Sequence, residues 1–247
     1  MAFLKTVLIF VPVVGAVVVL VPFGVLVFIL SCAGLRKPAL NGMYRIARGW
    51  ARLLIRLSGC TVTVTGQEHI PPQGGLCIVS NHGSIYDVLL ALAYIGRPFG
   101  FIAKKELAYI PLLNMWIYLL GGFFIDRKNI RSAVKTINRG VGRIKAGDAI
   151  IIFPEGHRSR GQGLLPFRPG ALKLATQAGA PIVPMALSGS YEVFEKDYLL
   201  RPGPIRVCFG APVFTADLPP QDRKQALADR VRGIIAGMLE TPGAAQL

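Results

Sequence analysis

The chain has 247 residues, 52% of them hydrophobic, so it can bury one full domain core and still has apolar residues left over for membrane contact. A formal net charge of +15 argues against cationic partners and favours anionic ones, such as nucleic acid, phospholipid head groups or a phosphorylated substrate. The four cysteines are far apart and none belongs to a CxxC pair, which excludes the usual zinc-site spacing and is typical of reduced, structural thiols.

The amino-terminal quarter of the chain is purely cationic and contains a long apolar segment. Residues 6–35 carry no charge, and this length exceeds the roughly 20 residues that cross a bilayer as a helix. We therefore expect the segment to lie in lipid. Pro12 and Pro22 disfavour a continuous helix, so a re-entrant hairpin in one leaflet competes with a straight span. A cleaved signal peptide is disfavoured, because its apolar region is only ~7–15 residues long and Lys5 is the sole cation before the run.

An amphipathic helix is predicted over residues 40–57. Four arginines at spacings of three and four residues form one stripe along it: Arg45, Arg48, Arg52 and Arg56. Such a stripe is often only a solvated face, but beside a lipid-embedded segment it indicates a helix lying on an anionic leaflet. The positive-inside rule then places the rest of the chain in the cytoplasm. We expect residues 1–58 to form membrane-embedded and interfacial helices and residues 59–247 to form a separate folded domain.

Short β-rich runs alternate with helical periodicity from about residue 60 onward. The predicted strands cover residues 61–65, 76–80, 99–103, 123–125, 149–153, 182–187 and 205–209. The predicted helices cover residues 84–95, 111–119, 130–146, 169–179 and 220–240. This alternation predicts an α/β fold, in which helices flank a mostly parallel mixed sheet and an N-terminal membrane-embedded helical segment precedes it.

The stretch NHGSIYD, residues 81–87, lies between a predicted strand and a predicted helix. Because open α/β sheets bind ligands at the carboxyl ends of their strands, we expect His82 to be reachable there. Asp87, one helical turn on, can reach back to the imidazole and hold one tautomer, which leaves the other ring nitrogen as a general base. Taken alone, the pattern fits equally well a helix-capping aspartate beside a locally hydrogen-bonded histidine.

No protein nucleophile accompanies this histidine. The chain contains no G-x-S-x-G elbow, and its nearest candidate, ALSGS at residues 186–190, lacks both flanking glycines. A serine hydrolase is therefore disfavoured. The base is better suited to activating a hydroxyl of the substrate itself, as in direct transfer to an alcohol.

Three further stretches follow or interrupt predicted strands. GGFFIDR (residues 121–127) and FPEGHRS (residues 153–159) each place an arginine after a strand. Because arginine binds phosphate in a bidentate manner, Arg127 and Arg158 near His82 predict a phosphate site beside the base, although a surface salt bridge would explain either arginine alone. Pro184 removes one ladder bond from its strand, which by itself indicates an edge strand or a bulge.

Together these stretches resemble the glycerolipid acyltransferase family, in particular its 1-acylglycerol-3-phosphate (lysophosphatidate) acyltransferases. The blocks NHxxxxD, GxxFIxR, FPEGxRS and VPxxL occur in the family's order across residues 81–187. Any one block is weak evidence, but the four in order are specific. The resemblance extends to the amino-terminal apolar segment only in a general way, and it does not reach the carboxy-terminal part of the chain.

The resemblance implies an enzyme on the cytoplasmic face of the inner membrane. Such an enzyme moves an acyl chain from acyl-CoA or acyl carrier protein to the sn-2 hydroxyl of lysophosphatidate. It implies that His82 and Asp87 are the catalytic pair. It assigns the acceptor phosphate to Arg127, Glu155, Gly156 and Arg158, and supporting roles to Asn81, Gly83, Ser159 and Pro184. The implied partners are the two substrates and anionic membrane lipids, with no nucleic acid, no metal and no bound cofactor.

Two alternatives stay open at this stage. The same motifs serve acyltransferases whose acceptor is glycerol 3-phosphate, another lysophospholipid or an amino-acid lipid. The chain could instead be a non-catalytic protein that binds anionic membranes, which would leave the pairing of His82 with Asp87 without a role.

Overall fold

The computed structural model describes residues 21–33, 35–216 and 218–241, so residues 6–20 of the predicted lipid-embedded segment lie outside the described residues. The helices are α1 (Val21–Cys32), α2 (Arg36–Ser58), α3 (Tyr86–Tyr94), α4 (Leu113–Leu119), α5 (Ile130–Lys145), α6 (Lys173–Ala178) and α7 (Gln225–Glu240). The strands are β1 (Thr61–Thr65), β2 (Leu76–Ser80), β3 (Phe99–Lys104), β4 (Phe123–Ile125), β5 (Ala149–Ile152), β6 (Ile182–Ser188) and β7 (Pro204–Phe209). Short 3-10 turns cover Gln67–His69, Lys105–Tyr109, Pro169–Leu172 and Pro220–Arg223, and a π-helical turn covers Tyr191–Glu195.

All seven strands predicted from the sequence are present, each within one residue of its predicted ends. They form a single sheet in the order β1-β7-β6-β2-β5-β3-β4. Every neighbouring pair is parallel except β6 and β7. The prediction of an α/β fold with a mostly parallel mixed sheet is therefore confirmed.

The interior strands β2, β5 and β6 are buried on both faces, and the central strand β2 is buried along its whole length. Successive side chains of a strand point to opposite faces. Leu76 and Ile78 accordingly belong to a core shared with α2 and α3, whereas Cys77 and Val79 belong to a core shared with α5, α6 and α7. Helices thus cover both faces of the sheet, and ligands can reach it at the ends of its strands.

Pro184 lies in β6, which is an interior strand between β7 and β2. The expectation of an edge strand is therefore wrong, and the alternative of a bulge is correct. Ile182 is opposite Val213, and Met185 is opposite Phe209. The segment from 209 to 213 therefore has one more residue than the segment of β6 that it pairs with, which is a bulge. Because the proline lies in this irregular stretch, its missing N–H removes no regular ladder bond.

The helix α2 packs on α3 through a buried face that includes Ala51 and Ile55. Arg48 and Arg52 both donate from Nε to the carbonyl of Ala93, near the end of α3, at 3.3 and 3.2 Å. Positive charge is favourable there because of the helix dipole. Two of the four arginines expected on a membrane surface therefore also tie α2 to α3.

The helix α1 packs against α2 and α4. Gly24 allows the close approach, because a Cβ there would lie 3.0 Å from Leu119 and 3.3 Å from Met115. Val27 and Met43 complete a small apolar cluster with Leu119. In the part of the chain that the structure describes, no helix combines the length and hydropathy needed to cross a membrane.

Candidate active site

The loops that follow β2 and β5 lie side by side, because these strands are parallel neighbours. The carbonyl of His82, in the first loop, accepts a hydrogen bond from the N–H of Ser159 in the second, at 2.7 Å. The side chain of Asn81 donates to and accepts from the backbone of Leu187 in β6, at 2.8 Å each. The carboxyl ends of three adjacent strands are thus fixed to one another, at the edge where α/β sheets bind ligands.

His82 and Asp87 form a hydrogen-bonded pair, with 2.9 Å between Nδ1 and Oδ2. Asp87 is fully buried, and the same oxygen accepts from the N–H of Ser84 at 2.9 Å. The imidazole stacks on Phe153 with ring centroids 4.2 Å apart, and 18% of the histidine side chain is exposed. A carboxylate only accepts hydrogen bonds, so in the neutral ring Nδ1 carries the proton and Nε2 carries the free lone pair. The geometry therefore presents Nε2 as an acceptor for a substrate proton.

The start of α3 supplies one unpaired backbone donor. The helix begins two residues later than predicted because Ser84 forms a capping turn, in which its hydroxyl accepts from the N–H of Tyr86 at 3.1 Å. Among the described residues the N–H of Gly83 has no partner, although its neighbours on both sides are paired. A Cβ at this glycine would lie 3.9 Å from the hydroxyl oxygens of both Ser159 and Ser190. The position beside Gly83 is therefore bordered by two hydroxyl groups.

Glu155 is only 1% exposed and supports the backbone of the loop that contains His82. Its carboxylate accepts from the N–H of His82 at 2.8 Å and from the N–H of Leu165 at 3.3 Å. Burial raises the pKa of Glu155 above its ordinary value, while both N–H donors act in the opposite direction. Gly156 follows with φ +81°, and a Cβ there would lie 3.0 Å from Nε of Arg168. The structure thus places Glu155 against backbone donors, where it positions the loop.

Arg158 is held by Glu195, a buried glutamate that the sequence motifs do not include. Nη1 of Arg158 lies 2.8 Å from Oε1 and 3.1 Å from Oε2 of this carboxylate, which is 3% exposed. Glu195 also accepts from the N–H of Ile85 at the start of α3, at 3.1 Å, and lies 3.6 Å from Nε of Arg160. It follows the last motif in the chain, and no sequence pattern distinguishes it from the exposed Glu192 in the same turn.

Arg127 lies just after β4 and contacts the loop that follows β5. Its Nη1 donates to the carbonyl of Gly156. Burial lowers the pKa of Arg127, because it disfavours the charged guanidinium. The nearby positive charge of Arg168 lowers this pKa further. Among the described contacts, Arg127 is thus grouped with Arg168, and Arg158 is grouped with Glu195. No described side chain bridges the two groups, although both adjoin the same loop.

The site therefore combines three chemical features: a histidine acceptor, an unpaired backbone donor and two groups of guanidinium cations. These suit proton transfer next to a bound anion. Within the described ranges, no group of three or more histidine, cysteine or acidic side chains could hold a metal ion.

Comparison with known proteins relates this region to acyltransferases. The family model described as Acyltransferase matches residues 61–188. A Borreliella burgdorferi protein named 1-acyl-sn-glycerol-3-phosphate acyltransferase is 30% identical over 194 residues, which cover 78% of this chain and 78% of that protein. The human 1-acyl-sn-glycerol-3-phosphate acyltransferase alpha is 37% identical over 179 residues, 71% of this chain but only 62% of that protein. The crystal structure of the LPA acyltransferase PlsC from Thermotoga maritima is 24% identical with a TM-score of 0.80, covers 98% of this chain and 97% of that one, and shares its fold.

Proposed function

The chain belongs to the acyltransferase family, and from this membership we propose that it transfers an acyl chain from a thioester to the sn-2 hydroxyl of lysophosphatidate, giving phosphatidate. The observation that carries the proposal is the pairing of His82 with the buried Asp87, which leaves Nε2 free at the ligand-binding edge of the sheet. The acceptor is suggested by the names of the relatives, which are 1-acyl-sn-glycerol-3-phosphate acyltransferases.

His82 acts as a general base in this mechanism. Nε2 removes the proton of the acceptor hydroxyl as its oxygen attacks the thioester carbonyl, and the resulting imidazolium returns a proton to the departing thiolate. The carbon–sulfur bond breaks as the ester bond forms. Asp87 holds the ring in the required tautomer and stabilises the transient imidazolium. No covalent acyl-enzyme is needed, in keeping with the absence of a G-x-S-x-G elbow from the sequence.

The developing oxyanion is placed at the unpaired N–H of Gly83. A fixed backbone donor at a helix start stabilises negative charge that appears only in the transition state. The hydroxyl of Ser159 or Ser190 is close enough to this position to supply a second donor.

We assign the acceptor phosphate to Arg158. Only Nη1 of this guanidinium is used by Glu195, so the edge formed by Nε and Nη2 remains available for a bidentate phosphate contact. Arg127, at the same loop, adds a second cation. Glu195 orients Arg158 and separates its charge from that of Arg160.

A double-mutant cycle tests this arrangement. A charge-assisted phosphate contact is worth about 1.5–3 kcal/mol, so Arg158→Ala should raise the acceptor KM roughly tenfold to a hundredfold with a smaller change in kcat. Glu195→Gln should raise the acceptor KM less, because Arg158 keeps its charge and loses only the carboxylate that orients it. In the Arg158→Ala background, Glu195→Gln should cause no further rise in KM. Glu192→Gln is the matched control, since this exposed carboxylate on the same turn pairs only with Lys196. An unchanged KM in Arg158→Ala would remove Arg158 from the phosphate site, and additive effects would separate it from Glu195.

The proposed reaction is tested with purified full-length chain and lysophosphatidate. Acyl-CoA and acyl carrier protein are offered as alternative donors, and phosphatidate is measured by mass spectrometry. Glycerol 3-phosphate and other lysophospholipids are offered as competing acceptors. Turnover of another acceptor alone would replace lysophosphatidate, and binding to anionic vesicles without any turnover would favour a non-catalytic membrane protein.

We further propose that residues 1–58 hold the chain on the cytoplasmic face of the inner membrane. The uncharged residues 6–35 support this location. On α2, Leu53 and Leu57 are 45% and 49% exposed, as expected for a helix that lies partly in the acyl region. A membrane location also suits the reaction, because both acceptor and product are lipids.

Membrane attachment through α2 is tested by replacing Arg45 and Arg56, whose side chains are exposed, with glutamine in the full chain. Each cation near an anionic surface contributes about 1 kcal/mol, so affinity for phosphatidylglycerol vesicles should fall roughly tenfold or more at low salt. The difference should shrink as salt rises. Replacing the exposed Arg131 and Arg139 of α5 removes the same charge elsewhere and serves as the control. Equal effects of the two double variants would contradict a specific role for α2.

A further inference from the structure

The connection from β3 through α4 exposes several large apolar side chains. Their exposed fractions are 73% for Tyr109, 46% for Ile110, 37% for Leu112, 39% for Leu113 and 47% for Tyr118. We call residues 109–118 the α4 segment. Scattered exposed apolar residues are ordinary, but a contiguous group marks a surface that binds something. Because the segment follows the carboxyl end of β3, its first residues lie near the sheet edge that also carries His82, and its last residues lead back to the start of β4.

The α4 segment is continuous with the apolar surface of α1. The two helices are in contact at Gly24 and share the apolar cluster that contains Leu119. A second set of large apolar side chains is exposed on α1 and just before α2: Val25, Leu26 and Ile29 on α1, and Leu35 before α2, each between 46% and 56%. The chain that precedes α1 is uncharged from residue 6 onward. Exposed apolar side chains thus occur on both α1 and the α4 segment. The sequence that directly precedes α1 is also uncharged.

The polar groups of the α4 segment are arranged as at a membrane interface. Tyr109 and Tyr118 lie near its two ends, and tyrosines concentrate where hydrocarbon meets head groups. Lys104 and Lys105, at its base, are exposed, and Lys105 pairs with Asp126 at 2.9 Å. The segment therefore carries charged side chains at its base and mostly apolar side chains beyond it, which is the arrangement expected where head groups meet hydrocarbon.

We propose that the α4 segment inserts into the lipid bilayer as a contact additional to residues 1–58, and that this contact turns the edge with His82 toward the membrane. The inference builds on the proposed function in one respect, that the acceptor is a lipid held in that membrane. A bilayer can cover α1 and the α4 segment together. A second copy of the chain, or residues 1–20 of the same chain, would cover the surface without any requirement for lipid.

The first test is binding of the full chain to vesicles of phosphatidylglycerol and phosphatidylethanolamine. The double variant Ile110→Asp, Leu113→Asp replaces apolar burial with charge, and its affinity for the vesicles should fall about tenfold or more. Phe214→Asp is the control, because this side chain is 69% exposed and its neighbour Val213 is opposite Ile182, at the amino end of β6 and away from His82. Its affinity should be nearly that of the unchanged chain. Equal losses in both variants, or no loss in either, would overturn the proposal.

The second test separates orientation from general damage. Acyl transfer by the Ile110→Asp, Leu113→Asp variant is measured with a long-chain lysophosphatidate held in vesicles and with a short-chain one dissolved as monomers. The loss should appear with the vesicle acceptor alone, because the catalytic residues are unaltered. Equal losses with both acceptors would assign the segment a merely structural role. A dimer that the substitutions dissociate, or lower thermal stability with unchanged vesicle binding, would assign the surface to the chain itself. Absence of turnover in the unchanged chain would overturn the proposed reaction, and vesicle binding would still decide the question of insertion.

Discussion

Replacing His82 with alanine should lower kcat for acyl transfer about 10²–10⁴-fold, which is the usual contribution of a general base. Acceptor binding should change little, because the described cations of the site are arginines outside the His82–Asp87 pair. The measurement is kcat and KM with lysophosphatidate, with binding of the lipid followed separately in the absence of the acyl donor. A kcat near that of the unchanged enzyme would exclude the general-base role.

The matched control is His157→Ala. His157 lies in the neighbouring loop beside Arg158, but it is exposed and is not paired with Asp87. Its loss should leave kcat nearly unchanged. Removal of the His82 ring also leaves a gap over Phe153, so added imidazole should restore part of the activity if only the base is missing. Failure of imidazole together with a lower unfolding temperature would indicate that His82 chiefly supports the loop.

The interior strands β2, β5 and β6 were predictable because burial on both faces makes them nearly continuous apolar runs, whereas β1 was predictable from its β-branched residues. The clearest example is β2, whose residues are all fully buried. The pairing of His82 with Asp87 was predictable for a different reason, since the two residues are only five positions apart across one turn and their distance is set locally. Local periodicity and short spacings thus account for most of the fold and for the core of the site.

Contacts between distant parts of the chain were not predictable in the same way. Glu195 meets Arg158 across 37 residues, and no local pattern connects a carboxylate after β6 to an arginine after β5. The position of Pro184 inside the sheet depends on the irregular pairing between β6 and the chain after β7. Arg48 and Arg52 likewise turn to the end of α3, which helical periodicity cannot indicate. In each case tertiary packing, not the local sequence, decides which partner a side chain meets.

Asp87 makes the contacts of two different roles. Its Oδ2 accepts from the N–H of Ser84, which is the contact of a helix cap, and it also faces Nδ1 of His82, which is the contact of a catalytic acid. The second carboxylate oxygen, Oδ1, is buried without a partner among the described residues. A capping role requires only an oxygen acceptor, whereas orientation and stabilisation of an imidazolium require the negative charge.

Asp87→Asn is therefore expected to lower kcat about 10²–10⁴-fold while leaving stability nearly unchanged. Asparagine caps helices about as well as aspartate, so the helix start should persist. Its amide, however, either faces Nδ1 with its NH₂ group and places the ring proton on Nε2, or accepts from Nδ1 without a charge to stabilise the imidazolium. The measurements are kcat, KM and the thermal unfolding midpoint, with Asp148→Asn as control, because Asp148 pairs with Arg143 and adjoins the amino ends of the strands. A kcat for Asp87→Asn close to that of Asp148→Asn would reduce Asp87 to a helix cap and leave His82 without an orienting acid.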